Sequence, residues 1–276
     1  MLTDAQFALV ARQAKRRIGL MLTPERVAHV DARLTPLARR EGCSCAGELI
    51  SATQEREDDL LWDLIVDALV NSDTQFFRDR AAFQTLGDRM IPDLLRARPA
   101  HSRLRIWSAG CATGQEPFSL AILMEELKNE GRGATTEILA TDISARLLDK
   151  AAAGIFSQFE AQRGLSIRRL IAHFERVGEM WRIKDRLRAS VRFESHNLLD
   201  PSRDMGPFDI ISCRHVLSGF DAQDRKNALE RIALSLAEDG VLLLGEGETA
   251  SDVTEAFQPT SGAGVFLRNA YWRKAA

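Results

Sequence analysis

The chain has 276 residues, enough for one large domain or for a medium domain with a smaller partner. Hydrophobic residues make up 45% and charged residues 28%, which suits a globular protein with a real core; a formal charge of −2 gives no bias toward nucleic acid or an anionic membrane. Residues 1–20 carry Arg12, Lys15, Arg16 and Arg17 where a signal peptide would be apolar, no apolar run reaches the length of a membrane span, and four cysteines make no disulfide framework, so a cytoplasmic protein is expected.

Residues 1–72 read as an all-α domain. Leu2, Phe7, Val10 and Ile18 fall at helical intervals, as do Val27, Val30, Leu34 and Leu37. Thr3 and Thr23 are candidate N-caps, the second followed by Pro24. The first 40 residues hold eight Lys or Arg against three Asp or Glu, a basic piece suited to an acidic partner. Cys43-Ser44-Cys45 has no second Cys or His cluster beside it, so no metal site is expected. Residues 58–70 form another amphipathic helix, 71–79 interrupt the pattern, and 80–95 resume it.

From residue 103 strands alternate with helices. Strands are expected at 104–108, 137–141, 190–194, 208–213 and 241–245, with helices at 118–127, 145–152, 167–173 and 225–237. This is an α/β pattern, a mostly parallel sheet covered on both faces. Residues 256–258 and 265–269 read as a terminal antiparallel hairpin around Gly262-Ala263-Gly264. Residues 176–189, containing Met180-Trp181-Arg182-Ile183, read as a small inserted β element.

Open α/β sheets bind ligands at the carboxyl ends of their strands. The first strand ends in Gly110-Cys111-Ala112-Thr113-Gly114, small residues that let a ligand approach the backbone and the next helix N-terminus. The second ends in Asp142, placed to accept from ribose hydroxyls. The third ends in Asn197 and Leu198, an amide and an apolar side chain suited to an adenine ring. The fourth ends in Cys213-Arg214-His215-Val216 and the fifth in Gly245-Glu246-Gly247-Glu248. The glycine spacing is not the G-x-G-x-x-G of dinucleotide folds. Glu116 at the mouth of the turn would repel a pyrophosphate and suit the cationic end of S-adenosylmethionine.

Several segments together resemble the CheR family, the chemotaxis receptor protein-glutamate O-methyltransferases. They are Phe76-Phe77-Arg78-Asp79, Ile106-Trp107-Ser108-Ala109-Gly110-Cys111, Thr113-Gly114, Glu116-Pro117, Ala140-Thr141-Asp142-Ile143-Ser144, Asn197-Leu198-Leu199 and Cys213-Arg214. The resemblance runs collinearly from about residue 60 to the C-terminus. It implies a class I S-adenosylmethionine-dependent methyltransferase sheet over residues 73–276, a receptor-facing N-terminal domain, and methylation of glutamates on the cytoplasmic helices of chemoreceptors, with S-adenosylhomocysteine as product. Carried over residue by residue, the cofactor contacts are Ser72, Thr74, Arg78, Glu116, Asp142, Asn197, Leu198, His215 and Val216. Among the departures from the family pattern C-R-N-V-x-I-Y-F, His215 stands for Asn and Gly219 for Tyr. Family members usually carry Asn where Ser72 stands.

A carboxylate is already anionic at pH 7, so its methylation needs alignment and no strong base. Arg78 is the expected catalytic residue, its guanidinium holding the glutamate. The alternative at the level of function is a weakly active or inactive cofactor-binding regulator, motivated by His215 and Gly219; a small-molecule methyltransferase is the third option. The short turn Val177-Gly178-Glu179-Met180 lacks the longer loop with which some relatives grip a receptor tail peptide, so tail-peptide tethering is not expected.

Overall fold

The computed structural model describes residues 1–98, 102–200, 205–262 and 264–272. The chain divides into two compact units, Met1–Asn71 with Gly219–Asp224, and Ser72–Ser218 with Arg225–Ala276. The first unit is helical: α1 (Asp4–Ile18), a 3-10 turn (Pro24–Arg26), α2 (Val27–Arg40), α3 (Ala46–Glu55) and α4 (Asp59–Leu69). Thr3 caps α1 in a reciprocal box with Gln6, and Gly19 closes it in the left-handed conformation. Thr23 precedes the 3-10 turn and makes no side-chain cap. Phe7, Val10, Val30, Leu34, Ile50, Trp62 and Ile65 form the core. The basic character stays in the first two helices; residues 41–71 hold eight acids against Arg56 alone. Part of it is answered inside the unit. Lys15 reaches Asp221 at 2.5 Å and also Asp224, while Arg17 pairs with Asp59 and, at 2.5 Å, with Asp63.

Gly219 and its neighbours therefore pack with the helical unit, although they lie in the stretch expected to be methyltransferase domain. The Met21 amide donates to the Gly219 carbonyl at 2.8 Å, and a Cβ on Gly219 would lie 3.2 Å from Leu20 Cδ1.

The second unit begins with α5 (Arg80–Thr85), which runs through a π-helical turn (Leu86–Met90) into α6 (Ile91–Arg96). Alternation follows in the order β1 (Leu104–Ala109), α7 (Gln115–Asn129), β2 (Thr136–Asp142), α8 (Ala145–Ala153), β3 (Ile155–Ser157), α9 (Gln158–Gln162), α10 (Ile167–His173), β4 (Phe174–Val177), β5 (Met180–Ile183), α11 (Asp185–Arg188), β6 (Val191–Ser195), β7 (Phe208–Ser212), α12 (Ala222–Ser235), β8 (Leu236–Leu243), β9 (Phe257–Pro259) and β10 (Val265–Arg268). The large sheet has the order β6-β2-β1-β7-β8-β10-β9; its first five strands are parallel, and β10 and β9 close it as an antiparallel hairpin. Every residue of β7 is buried, which requires cover on both faces. The strand order turns back between β1 and β7, so the ligand crevice of such a sheet opens there.

Two details differ from the sequence reading. The small sheet, β3-β5-β4, starts at Ile155, ahead of the expected insertion, because Ile155–Ser157 is too short a run to signal a strand. β8 starts at Leu236 and passes through Glu238-Asp239-Gly240, which reads as a turn; a register shift against β7 accommodates those residues. The turn expected at Gly262-Ala263-Gly264 falls partly on residue 263, outside the described residues.

Candidate active site

The turn between β1 and α7 is strapped to the end of β2. The Thr141 carbonyl accepts the Gly110 and Cys111 amides at 2.8 and 2.9 Å. One oxygen of Asp142 accepts the Ala112 amide at 2.9 Å and the other the Ser144 amide at 3.0 Å. The glycines answer to packing. A Cβ on Gly110, at φ 75°, would fall 2.4 Å from Val216 Cγ2; one on Gly114, at φ 93°, would fall 3.0 Å from Ala151 Cβ on α8. Val216, a predicted cofactor contact, thus also shapes the turn.

Glu116, on the first turn of α7, accepts from Ser108 Oγ at 2.7 Å and from Arg214 Nη1 at 3.2 Å. Arg214 is almost wholly buried, its side chain 2% exposed. Its Nη2 donates to the Arg78 carbonyl and, at 2.8 Å, to Asp79 Oδ2. The same Asp79 oxygen meets His215 Nε2 and the Glu246 amide, both at 2.9 Å. Burial pushes the Asp79 carboxyl up, but the Glu246 amide, the Arg214 guanidinium and His215 more than reverse this and hold it at about 2. Glu248 accepts the His215 and Gly245 amides, both at 2.8 Å.

Arg78 donates from Nη1 to the Asp73 carbonyl at 3.1 Å and stands 3.9 Å from the Asp73 carboxylate. Its Nε and Nη2 have no partner among the described residues. Asn197 folds its Oδ1 onto the Leu199 amide at 3.0 Å, and the Leu198 carbonyl accepts from Arg231 at 3.4 Å. This segment lies beside the Asp142 strand end, where the His196 amide donates to the Asp142 carbonyl at 3.0 Å. Ser72 and Thr74 sit half-buried ahead of Arg78. The structure thus ties Arg78, Glu116 and His215 into one bonded group, sets Asp142 and Val216 on the glycine turn, and joins Asn197 and Leu198 to the Asp142 strand end; no bond among the described residues ties Ser72 or Thr74 to them.

Asp79, Arg214 and Glu248 do the joining, and the sequence reading assigned none of them a role. An acid directly after Phe-Phe-Arg and another after the last parallel strand were the available signals. Both buried thiols, Cys111 and Cys213, are pushed up by burial, with neighbouring acids adding to it, so neither is a thiolate nucleophile. Among the described residues, four of five non-glycine residues with positive φ belong to this region: Phe77, Asp79, Ala112 and His215. Such backbone costs about 1–3 kcal/mol per residue and gathers where function requires a fixed geometry.

The donor set fits a cationic, hydroxyl-bearing ligand. Asp79, Glu116, Asp142 and Glu248 outnumber Arg78 and Arg214, so the local charge is negative even with Glu116 paired. Ser212 Oγ, Arg214 Nε and Glu248 Oε1 are buried polar atoms without partners among the described residues, at and beyond the ends of β7 and β8, as a polar ligand site leaves them.

The family model for the CheR methyltransferase SAM-binding domain matches residues 72–265. Chemotaxis protein methyltransferase 1 of Pseudomonas aeruginosa is 35% identical over 92% of this chain and 94% of its own length; chemotaxis protein methyltransferase Cher2 of Pseudomonas putida is 35% identical over 88% and 90%. Among solved structures, PKMT2 from Rickettsia typhi in complex with AdoHcy overlays 63% of this chain and 26% of its own, at 16% identity and a TM-score of 0.39. A match to the family model over most of the chain, joined to near full-length relatives, makes this chain a member of the CheR methyltransferase family, an enzyme whose cofactor is S-adenosylmethionine.

Proposed function

We propose that this enzyme esterifies glutamate side chains on the cytoplasmic helices of chemoreceptors. The observation that carries the reading is Arg78: a half-buried guanidinium, anchored by one nitrogen to Asp73 and leaving Nε and Nη2 for a carboxylate, bonded through its carbonyl to the acidic group at the sheet's switch point. A single-point contact from one of these nitrogens orients the acceptor and leaves its second oxygen free as nucleophile. Glu116 would hold the cofactor's ammonium end, Asp142 its ribose hydroxyls, and Asn197 with Leu198 its adenine; Ser72, Thr74, His215 and Val216 complete the contacts. When bound, S-adenosylmethionine supplies a methyl group on a sulfonium, which leaves as a neutral thioether. No residue here has a proton to move, because a glutamate is anionic at neutral pH. What the protein contributes is alignment and exclusion of water, worth up to about 7–11 kcal/mol of such a barrier.

Incubation with methyl-labelled S-adenosylmethionine and receptor cytoplasmic fragments tests the reading. Base-labile methyl esters are expected with wild type and not with Arg78→Ala. Cofactor binding without ester on any receptor would favour the second reading, a non-catalytic regulator. Gly219 motivates it: a glycine whose carbonyl takes the Met21 amide offers no side chain to a reaction centre.

A further inference from the structure

We propose that Asp79 is a positioning residue for methyl transfer, its carboxylate fixing Arg78 in the placement that presents the acceptor; the inference rests on the reading of Arg78 given above. Arg78 is flanked by two left-handed residues, Phe77 at φ 49° and Asp79 at φ 54°. L residues keep that conformation only where their surroundings impose it. Before Arg78, the Phe77 amide donates to Ser119 Oγ at 2.9 Å, and the Arg169 guanidinium lies 3.8 Å over the Phe77 ring. After Arg78, the imposing group is the Asp79 carboxylate. One of its oxygens gathers three donors from two separate segments: Arg214 at 2.8 Å and His215 at 2.9 Å from one, and the Glu246 amide at 2.9 Å from the other. Arg214 then returns to the Arg78 carbonyl, closing a ring that contains the peptide bond between residues 78 and 79. The same guanidinium holds Glu116.

The geometry calls for a charge and not merely an acceptor. Arg214 is buried and cationic, and charge-assisted bonds are about twice as strong as neutral ones. Asn shares Asp's shape and its tolerance of the left-handed region, so Asp79→Asn removes the charge and leaves the backbone preference in place.

The experiment compares wild type with Asp79→Asn in three measurements on the full chain: kcat and KM for receptor methylation, calorimetric affinity for S-adenosylhomocysteine, and thermal unfolding. A displaced Arg78 should lower kcat on the order of 100-fold. The dissociation constant should rise between about threefold and tenfold, through Glu116, with unfolding still cooperative. An unchanged kcat overturns the proposal and leaves Arg78's role standing. Should wild type make no ester, the substrate reading fails instead; the Asp79 ring is then judged by affinity, and an unchanged affinity overturns it. If Asp79→Asn does not fold, His215→Phe deletes one of the three donors; with unfolding still cooperative, kcat should fall roughly tenfold, and no change overturns the proposal.

Discussion

Gly110 shows how one residue's geometry propagates. It needs a glycine twice over, for a φ of 75° and because Val216 Cγ2 would lie 2.4 Å from a Cβ there. Gly110→Ala should destabilise the protein by about 1–3 kcal/mol from backbone strain alone, with further loss from the clash. Adding Val216→Ala should recover the clash portion and leave the strain. Urea denaturation of both variants measures the split, and full recovery by Val216→Ala would show that φ does not matter at this site. The glycines at 110 and 114 were legible in the sequence as a tight turn, with close ligand approach as the stated reason. The structure adds a different one, since side chains of this chain occupy the space a Cβ would need. Asp79 was less legible. It carries no periodicity signal, and its importance comes from Arg214, His215 and Glu246, which lie more than 130 residues away in sequence.

At the scale of elements, the inner parallel strands were readable because each carries a buried apolar run before a small or polar residue, as with Ile106–Ala109 ahead of Gly110, whereas the edge strand β6 alternates apolar and polar residues. Ends were harder. Glu238-Asp239-Gly240 looks like a turn, yet it continues β8 through a register shift that only the partner strand reveals. Ile155–Ser157 becomes a strand only because β5 is there to pair with it. α8 depends on Ser144, whose Oγ accepts the Leu147 amide at 3.2 Å while its own amide donates to Asp142. Ser144→Ala removes the cap and keeps the Asp142 contact, so it should cost about 1 kcal/mol of stability. Cofactor affinity should stay near wild type; a large loss of affinity would show that α8 also sets the Asp142 geometry. β4 and β5 join through Gly178 and Glu179 alone, with Val177 opposite Met180. A turn that short has no loop to close over a peptide. Calorimetric titration with receptor tail peptides should give no measurable heat, and micromolar affinity would contradict this.

The molecule as a whole carries nearly balanced charge, 39 acids against 37 bases, so its response to pH is set by which carboxyls folding perturbs. Glu126, like Asp79, is held at about 2: burial pushes it up, and His173 and Arg169 bring it down further than burial raises it. Glu160 is lowered too, by Lys150 and Ser157 acting against burial. Asp221 is lowered by the Asp224 amide that it caps and by Lys15. Each of these groups binds its proton more weakly folded than unfolded. Their stabilisation is therefore complete above the ordinary carboxyl range and is lost as pH falls from about 4.5 toward 2. For Asp79, a drop from 3.8 to about 2 corresponds to about 2 kcal/mol at neutral pH. Urea denaturation of wild type and Asp79→Asn at neutral pH should therefore differ by roughly that amount. The gap should narrow as the pH is lowered, because protonation in the wild type removes the charge that the substitution has already removed. A gap that stays constant down to acid pH would mean that Asp79 acts through shape and hydrogen-bond count alone, and that the buried Arg214 does not depend on its charge.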